Sequence, residues 1–273
     1  MKDVFARDIL QGRHAVITGA GSGICQRIAE RFAAQGAVVN IIGRNLEKAQ
    51  AAAQGITAAG GHAHGWSADV RDMEALQATV NACVDRCGPI DIVLAGAAGN
   101  FVAEAMGMSA KAYRTVIEID LLGSFHLFRA SFPHLRKPGA HVMAISAVQA
   151  SMPTAAQSHV GAAKAGIEHL VRTLAIEWGP LGIRCNAISP GPVADTEGFA
   201  RLAPGGDTSW ERMREGIPLG RAAQRDEIAD LALFLASGAA AYIHGTTIAI
   251  DGGQSNLGSL PFGAMLLDSL RRT

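Results

Sequence analysis

Neither sign of charge dominates this 273-residue chain, in which 24 lysines and arginines stand against 24 aspartates and glutamates. A balanced, patternless surface offers no electrostatic footprint for nucleic acid or for an acidic membrane. The longest apolar runs, at 37–42 and 90–98, fall far short of the roughly 20 residues that a membrane-spanning helix requires. The opening stretch MKDVFARDILQGR lacks the apolar core of a secretory signal. The closing Leu-Arg-Arg-Thr is not a peroxisomal address of the Ser-Lys-Leu type. Together these absences give the expectation of a soluble, cytoplasmic protein. Cysteines number only four, and Cys83 and Cys87 have neither a second pair nor a nearby histidine to complete a zinc site, so free thiols and no metal are expected.

No repeat, low-complexity tract or Pro/Ser-rich linker divides the chain, so residues 1–273 are expected to form a single domain. Apolar runs at 14–18, 37–43, 62–68, 90–95, 140–145, 183–189 and 246–250 predict seven strands. Their near-continuous apolarity suits parallel strands covered on both faces. Helical patterns fill the gaps at 22–35, 46–59, 73–87, 110–135, 154–178 and 226–236. This alternation predicts an α/β fold, a doubly wound Rossmann arrangement with a seven-stranded parallel sheet and right-handed crossovers. Functional residues are then expected just after the strands, at their carboxyl ends.

The first strand runs into Thr18-Gly19-Ala20-Gly21-Ser22-Gly23-Ile24-Cys25. A glycine turn entering a helix brings backbone N–H groups and the positive helix end to a phosphate. After the second strand, Gly43 stands where an NAD-binding chain needs a carboxylate for the ribose 2′-hydroxyl. Arg44 follows, and a guanidinium suits a 2′-phosphate, so NADP(H) is the expected cofactor.

The glycine turn resembles the Thr-Gly-x-x-x-Gly-x-Gly fingerprint of the short-chain dehydrogenase/reductase family. The resemblance runs through Asp69-Val70 and through Pro190-Gly191-Pro192-Val193-Ala194-Asp195-Thr196 to Asp251-Gly252-Gly253, covering residues 8–254. Two stretches depart from the family pattern. Cys25 replaces its last glycine, and Ala95-Gly96-Ala97-Ala98-Gly99-Asn100 replaces its Asn-Asn-Ala-Gly. The resemblance implies that Thr18, Gly19, Gly21, Ser22, Gly23 and Ile24 cradle the cofactor, with Arg44 near its phosphate and Asp69 and Val70 against adenine. It further implies contacts from Ala97 and Gly99, from Lys164 to the ribose, and from Pro190, Gly191, Pro192, Val193 and Thr196 over the nicotinamide.

Standard members of the family carry an Asn, a Ser and a Tyr-x-x-x-Lys pair. Here the lysine is Lys164, but Val160 stands four residues before it, Ala147 holds the serine slot and Asp120 the asparagine slot. Valine and alanine neither donate nor accept a proton, so ordinary carbonyl reduction is not expected. The same losses mark one branch of the family, and the chain resembles the peroxisomal type of 2,4-dienoyl-CoA reductase. The resemblance is carried by Ala97-Ala98-Gly99-Asn100-Phe101, Ile119-Asp120, His159 through Lys164, Ala175 through Pro180, Pro190 through Gly198, and Arg201-Leu202.

That resemblance implies NADPH-dependent reduction of 2,4-dienoyl-CoA to 3-enoyl-CoA in unsaturated fatty acid degradation. It also implies an acyl-CoA substrate, a homotetramer, and Asp120 and Lys164 as catalytic residues holding a water. Arg44, Arg71 and Arg201 are placed near CoA, with Phe101, Ser109, Ala110 and Lys111 along its path. Arg44 is thereby claimed by two phosphates. Asp120 has the alternative reading of a helix-surface carboxylate or a partner for a buried lysine, His159 that of a core, surface or catalytic residue, and the arginines that of solvated surface charges. Two other readings stay open: a reductase of another activated double bond or carbonyl, and a tyrosine-less NADP(H)-binding protein without enzymatic activity.

Overall fold

The computed structural model describes residues 5–202, 210–211 and 214–257. Seven strands form one sheet: β1 (His14–Thr18), β2 (Val38–Gly43), β3 (His62–Ser67), β4 (Ile92–Ala95), β5 (His141–Ile145), β6 (Arg184–Pro190) and β7 (Thr247–Ile250). Their spatial order is β3-β2-β1-β4-β5-β6-β7, and every neighbouring pair is parallel. The chain turns back at β1, so the connections leaving β1 and β4 diverge to opposite faces and open a crevice at the carboxyl ends.

Among the described residues the α-helices with defined bounds are α1 (Gly23–Ala34), α2 (Leu46–Ala58), α3 (Met73–Cys87), α4 (Ala110–Ile117), α5 (Gly123–Ser131), α6 (Ser158–Trp178), α7 (Glu197–Leu202) and α8 (Arg225–Ala236). Strand side chains alternate between the two layers, as the two-residue period requires. In β1, Ala15 and Ile17 join one core with Ile28, Phe32 and Leu233, while Val16 joins the other with Leu76, Leu127, Phe128 and Val171. Burying both faces is what makes the centre of β1, Ala15 to Ile17, continuously apolar. The edge strand β3, His-Ala-His-Gly-Trp-Ser, is half exposed and correspondingly polar. Each fully buried side chain of the size of Phe32 or Phe128 contributes about 1.5–3 kcal/mol.

Side-chain caps fix where several helices begin. Asn45, Asp72 and Ser109 accept from the backbone N–H groups of Lys48, Ala75 and Ala112 and start α2, α3 and α4.

The expected helix over 110–135 is interrupted. One wide π turn, Glu118–Leu122, separates α4 from α5, and Pro133 lies in a 3-10 turn beyond α5. Helix α6 starts four residues later than the apolar pattern suggests, because Ala156 holds a left-handed backbone at φ 61°. The short α7 is absent from the helices expected from the sequence. All four cysteines are free, and among the described residues no helix is long and apolar enough to cross a membrane.

Candidate active site

The glycine turn after β1 packs directly against the end of β4. Gly19 has φ 75°, and a Cβ there would lie 2.6 Å from the Gly96 carbonyl oxygen, so both handedness and space exclude a side chain. Thr18 Oγ1 accepts from Gly96 N at 3.2 Å and ties the two strand ends together. The two departures from the family pattern meet here. The buried Cys25 side chain fills the space that Gly96 leaves by having no Cβ, with Sγ 3.9 Å from the Gly96 oxygen. Desolvation pushes the Cys25 thiol up to about 12, so it remains protonated and acts as a small apolar filler.

A cavity of about 350 Å³ opens above this turn. Gly19, Ser22, Gly23, Ile24 and Gly43 line one side of it, and Arg44, Asp69, Val70, Ala97 and Thr196 another. Arg44 lies exposed. Asp69 accepts from Arg71 Nη2 at 2.6 Å and from Arg71 Nε at 3.0 Å. That pairing, against the cost of partial burial, holds the Asp69 carboxyl below the usual carboxylate range. A glycine-lined helix entrance, an arginine and a carboxylate fit a dinucleotide: phosphate at the amides and guanidinium, adenine beside Asp69.

The cavity continues into a second one of about 490 Å³, sharing Ile24, Ala98, Ile145, Thr196 and Gly198 with it. Asp120 and Lys164 meet in the wall of this second chamber. Asp120 is fully buried on the π turn, and its Oδ1 accepts from Gly99 N at 2.7 Å. Lys164 Nζ donates to the Ile145 carbonyl at 3.0 Å and stands 3.1 Å from Asp120 Oδ2. The ion pair is not aligned as a hydrogen bond, and Oδ2 has no hydrogen-bond partner among the described residues. The result is a buried carboxylate with one open acceptor beside an ammonium with donors to spare.

Val160 and Ala147 present only carbon to the chamber, and Val148, Met152 and Phe199 extend its apolar lining. The Ser146 hydroxyl is turned onto Glu168 Oε1 at 2.7 Å. Opposite, Pro190, Gly191, Pro192 and Val193 leave β6 along the rim. Gly191 cannot carry a side chain there, since its Cβ would come within 2.8 Å of the Asp251 backbone.

The structure thus brings together most of the residues expected from the sequence, with exceptions. Thr18 and Gly21 lie outside both cavity walls. Phe101 stacks on His159 instead of lining the chamber. Ser109, Ala110 and Lys111 are exposed beyond it, with Ser109 serving as a helix cap. Arg71 is clamped onto Asp69. The Arg201 side chain lies outside the described residues. Three features had no signal in the sequence: the Ile145 carbonyl that holds Lys164, the Gly99 amide that holds Asp120, and Gln157. The Gln157 Nε2 donates to the Phe101 carbonyl at 2.8 Å and fastens the loop after β4 to the start of α6.

The chain is similar to known proteins. A family model described as Enoyl-(Acyl carrier protein) reductase matches residues 19–255. A Saccharomyces cerevisiae protein named peroxisomal 2,4-dienoyl-CoA reductase, (3E)-enoyl-CoA-producing, is 39% identical over 256 residues, 92% of this chain and 87% of the relative. A Bacillus subtilis protein named probable 2,4-dienoyl-CoA reductase, (2E)-enoyl-CoA-producing, is 36% identical over 248 residues, 90% of this chain and 97% of the relative. Among solved structures, the citronellol catabolism dehydrogenase AtuB of Pseudomonas aeruginosa superposes with a TM-score of 0.82 at 32% identity, covering 93% of this chain and all of that one.

One expectation is corrected by these relatives. The yeast protein, and similar ones from zebrafish, rat and Arabidopsis thaliana, are named peroxisomal. Their names point to the peroxisome, against the cytoplasmic location read from composition and termini. Balanced charge carries no information about which compartment a folded enzyme enters.

Proposed function

The chain belongs to the short-chain dehydrogenase/reductase family, an oxidoreductase family whose fold takes a nicotinamide dinucleotide, and from that premise we propose that it reduces 2,4-dienoyl-CoA thioesters to 3-enoyl-CoA with NADPH. The observation that carries this reading is the buried Asp120–Lys164 pair in a chamber whose tyrosine position is Val160. The names of the yeast and Bacillus relatives support the substrate. Gly43 and Arg44, with no carboxylate at the end of β2, support NADPH over NADH.

NADPH, when bound, supplies a hydride to the δ carbon of the conjugated thioester. The residues that would hold it are Gly19, Ser22, Gly23, Ile24, Arg44, Asp69, Val70, Ala97, Gly99, Lys164, Pro190, Gly191, Pro192, Val193 and Thr196. Hydride addition at that carbon pushes negative charge onto the thioester oxygen, and the dienolate then takes a proton on carbon. No hydroxyl is formed, so no tyrosine is needed. Lys164 provides a fixed positive charge near the developing oxyanion. The open Oδ2 of Asp120 and the spare N–H groups of Lys164 together orient one water, which delivers the α proton. The apolar walls keep bulk water from the acyl side of the chamber, where Met152 and Phe199 provide contact for the acyl chain. For the CoA phosphates the resemblance names Arg44, Arg71 and Arg201, of which Arg44 is exposed and Arg71 is paired with Asp69.

A homotetramer is part of the same reading. Ile176 on α6 is 80% exposed, and Leu122 at the end of the π turn and Phe125 in α5 are also exposed, so both segments carry apolar surface that a second copy would cover. The direct test of the function is NADPH oxidation on adding dienoyl-CoA. Oxidation that depends on the thioester supports it. Tight NADPH binding without turnover on several chain lengths would leave a cofactor-binding protein instead.

A further inference from the structure

His159 is fully buried in the first turn of α6, next to Val160. Its ring lies against Phe101, with centroids 4.3 Å apart and planes 33° apart, and the Tyr113 ring is 6.4 Å away. It therefore fills the seam where α4 and α6 meet the loop after β4. Neither ring nitrogen has a hydrogen-bond partner among the described residues. Two other buried acceptors of the same region share that condition, Asp120 Oδ2 and Gln157 Oε1.

Buried polar atoms in folded proteins are bonded to protein or to ordered water. A neutral imidazole brings one donor and one acceptor; the Phe101 backbone comes near enough to favour the charged ring but makes no aligned hydrogen bond with either nitrogen. Burial lowers the pKa of His159, against the pull of the Phe101 backbone and of the Asp120 charge. The ring is accordingly neutral near pH 7 and lies within the field of Asp120. Packing alone does not account for it, since a phenylalanine would fill the same aromatic seam without two orphaned nitrogens.

We propose that His159 is a positioning residue that holds an internal water, and that this water reaches the open Oδ2 of Asp120 from the α4 side. Its kinetic role rests on the dienoyl-CoA reading. When the water between Asp120 and Lys164 gives its proton to the α carbon, a hydroxide is left. The internal water gives that hydroxide a proton and takes the imidazole N–H proton in turn, while the second ring nitrogen takes one proton from bulk solvent, the proton that the net reduction consumes, so charge and protons balance over the cycle.

The test has a structural and a kinetic arm. A high-resolution structure of the wild-type protein with NADPH should show a water within hydrogen-bond distance of a His159 nitrogen. A dry ring overturns the proposal whether or not dienoyl-CoA is the substrate. A wild-type protein that fails to turn over dienoyl-CoA refutes the proposed function, while the water is still decided by the structure. For kinetics, His159→Phe keeps the aromatic contact and His159→Gln restores a donor and an acceptor. The Phe variant should bind NADPH as wild type does, lose about 10–100-fold in kcat with KM little changed, and show a larger solvent isotope effect. The Gln variant should recover about half of that loss on a logarithmic scale. A Phe variant with wild-type kcat and isotope effect overturns the proposal, as does a Gln variant no better than Phe. If the Phe variant does not fold, the Gln variant and the structure decide.

Discussion

Replacing Asp120 by asparagine separates the chemistry of this site from its architecture. The amide oxygen can still accept from Gly99 N, so the loop after β4 stays anchored. What disappears is the negative charge 3.1 Å from Lys164 Nζ, in a pair whose side chains are only 7% and 1% exposed. An ammonium buried without its counter-charge costs about 3–5 kcal/mol. The surviving bond from Lys164 to the Ile145 carbonyl places the expected loss at the lower end, about 3 kcal/mol. Turnover should fall further than folding alone requires, because the open acceptor that orients the water is now an amide group. A drop in kcat of about 10²–10⁴ is expected, with a smaller effect on NADPH affinity. Denaturant unfolding, nucleotide titration and steady-state kinetics on the same preparation measure all three. Adding Lys164→Met removes the stranded charge and should restore stability to within about 1 kcal/mol of wild type, without restoring activity. An Asp120→Asn enzyme that keeps kcat within tenfold of wild type would refute the assignment.

Other residues give independent checks. Arg44→Ala should weaken NADPH by roughly tenfold, about 1.4 kcal/mol for an exposed charge-assisted contact, and leave NADH unchanged, as read by fluorescence titration. Gly96→Ala should destabilise by about 1–3 kcal/mol, because its Cβ collides with Cys25, and Cys25→Gly in the same chain should relieve most of that in a double-mutant cycle. Burial raises the Asp91 carboxyl, but Arg136, the His14 N–H and Arg13 outweigh it and hold it below the usual range. Its contribution is therefore present above the unfolded-state pKa and lost as pH falls through the folded one, and Asp91→Asn should flatten the acid limb of stability against pH. Ile176→Glu should shift sedimentation toward smaller species if α6 forms a subunit interface.

How far the sequence could be read follows from which signals are local. Strands β1 and β4 are buried on both faces, so their apolar runs announced them within two residues, and the helical patterns beginning at 46 and 73 coincide with the starts of α2 and α3. The π turn at Asp120 was invisible, because residues 110–131 carry a helical pattern throughout and the widening is associated with a tertiary contact, Gly99 N to Oδ1. The same holds for Lys164, whose partner on β5 is a backbone carbonyl that carries no side-chain signature. Cys25 and Gly96 each looked like an isolated departure from the family pattern. Only the packing of α1 on the end of β4 shows that one accommodates the other. Arg71 illustrates the opposite case: it was expected at a CoA phosphate, and its nearest charge is Asp69 two residues away.

The central claim is that the Asp120–Lys164 pair serves proton delivery to carbon after hydride addition at the far end of a conjugated thioester. Reaction of 2,4-dienoyl-CoA with NADPH deuterated at the transferable position, followed by locating the label and the remaining double bond in the product, tests it in one measurement. The account predicts deuterium on the δ carbon and a 3-enoyl-CoA product, with the α proton drawn from solvent. Label at the β carbon, or a 2-enoyl-CoA product of the kind named for the Bacillus relative, would contradict it.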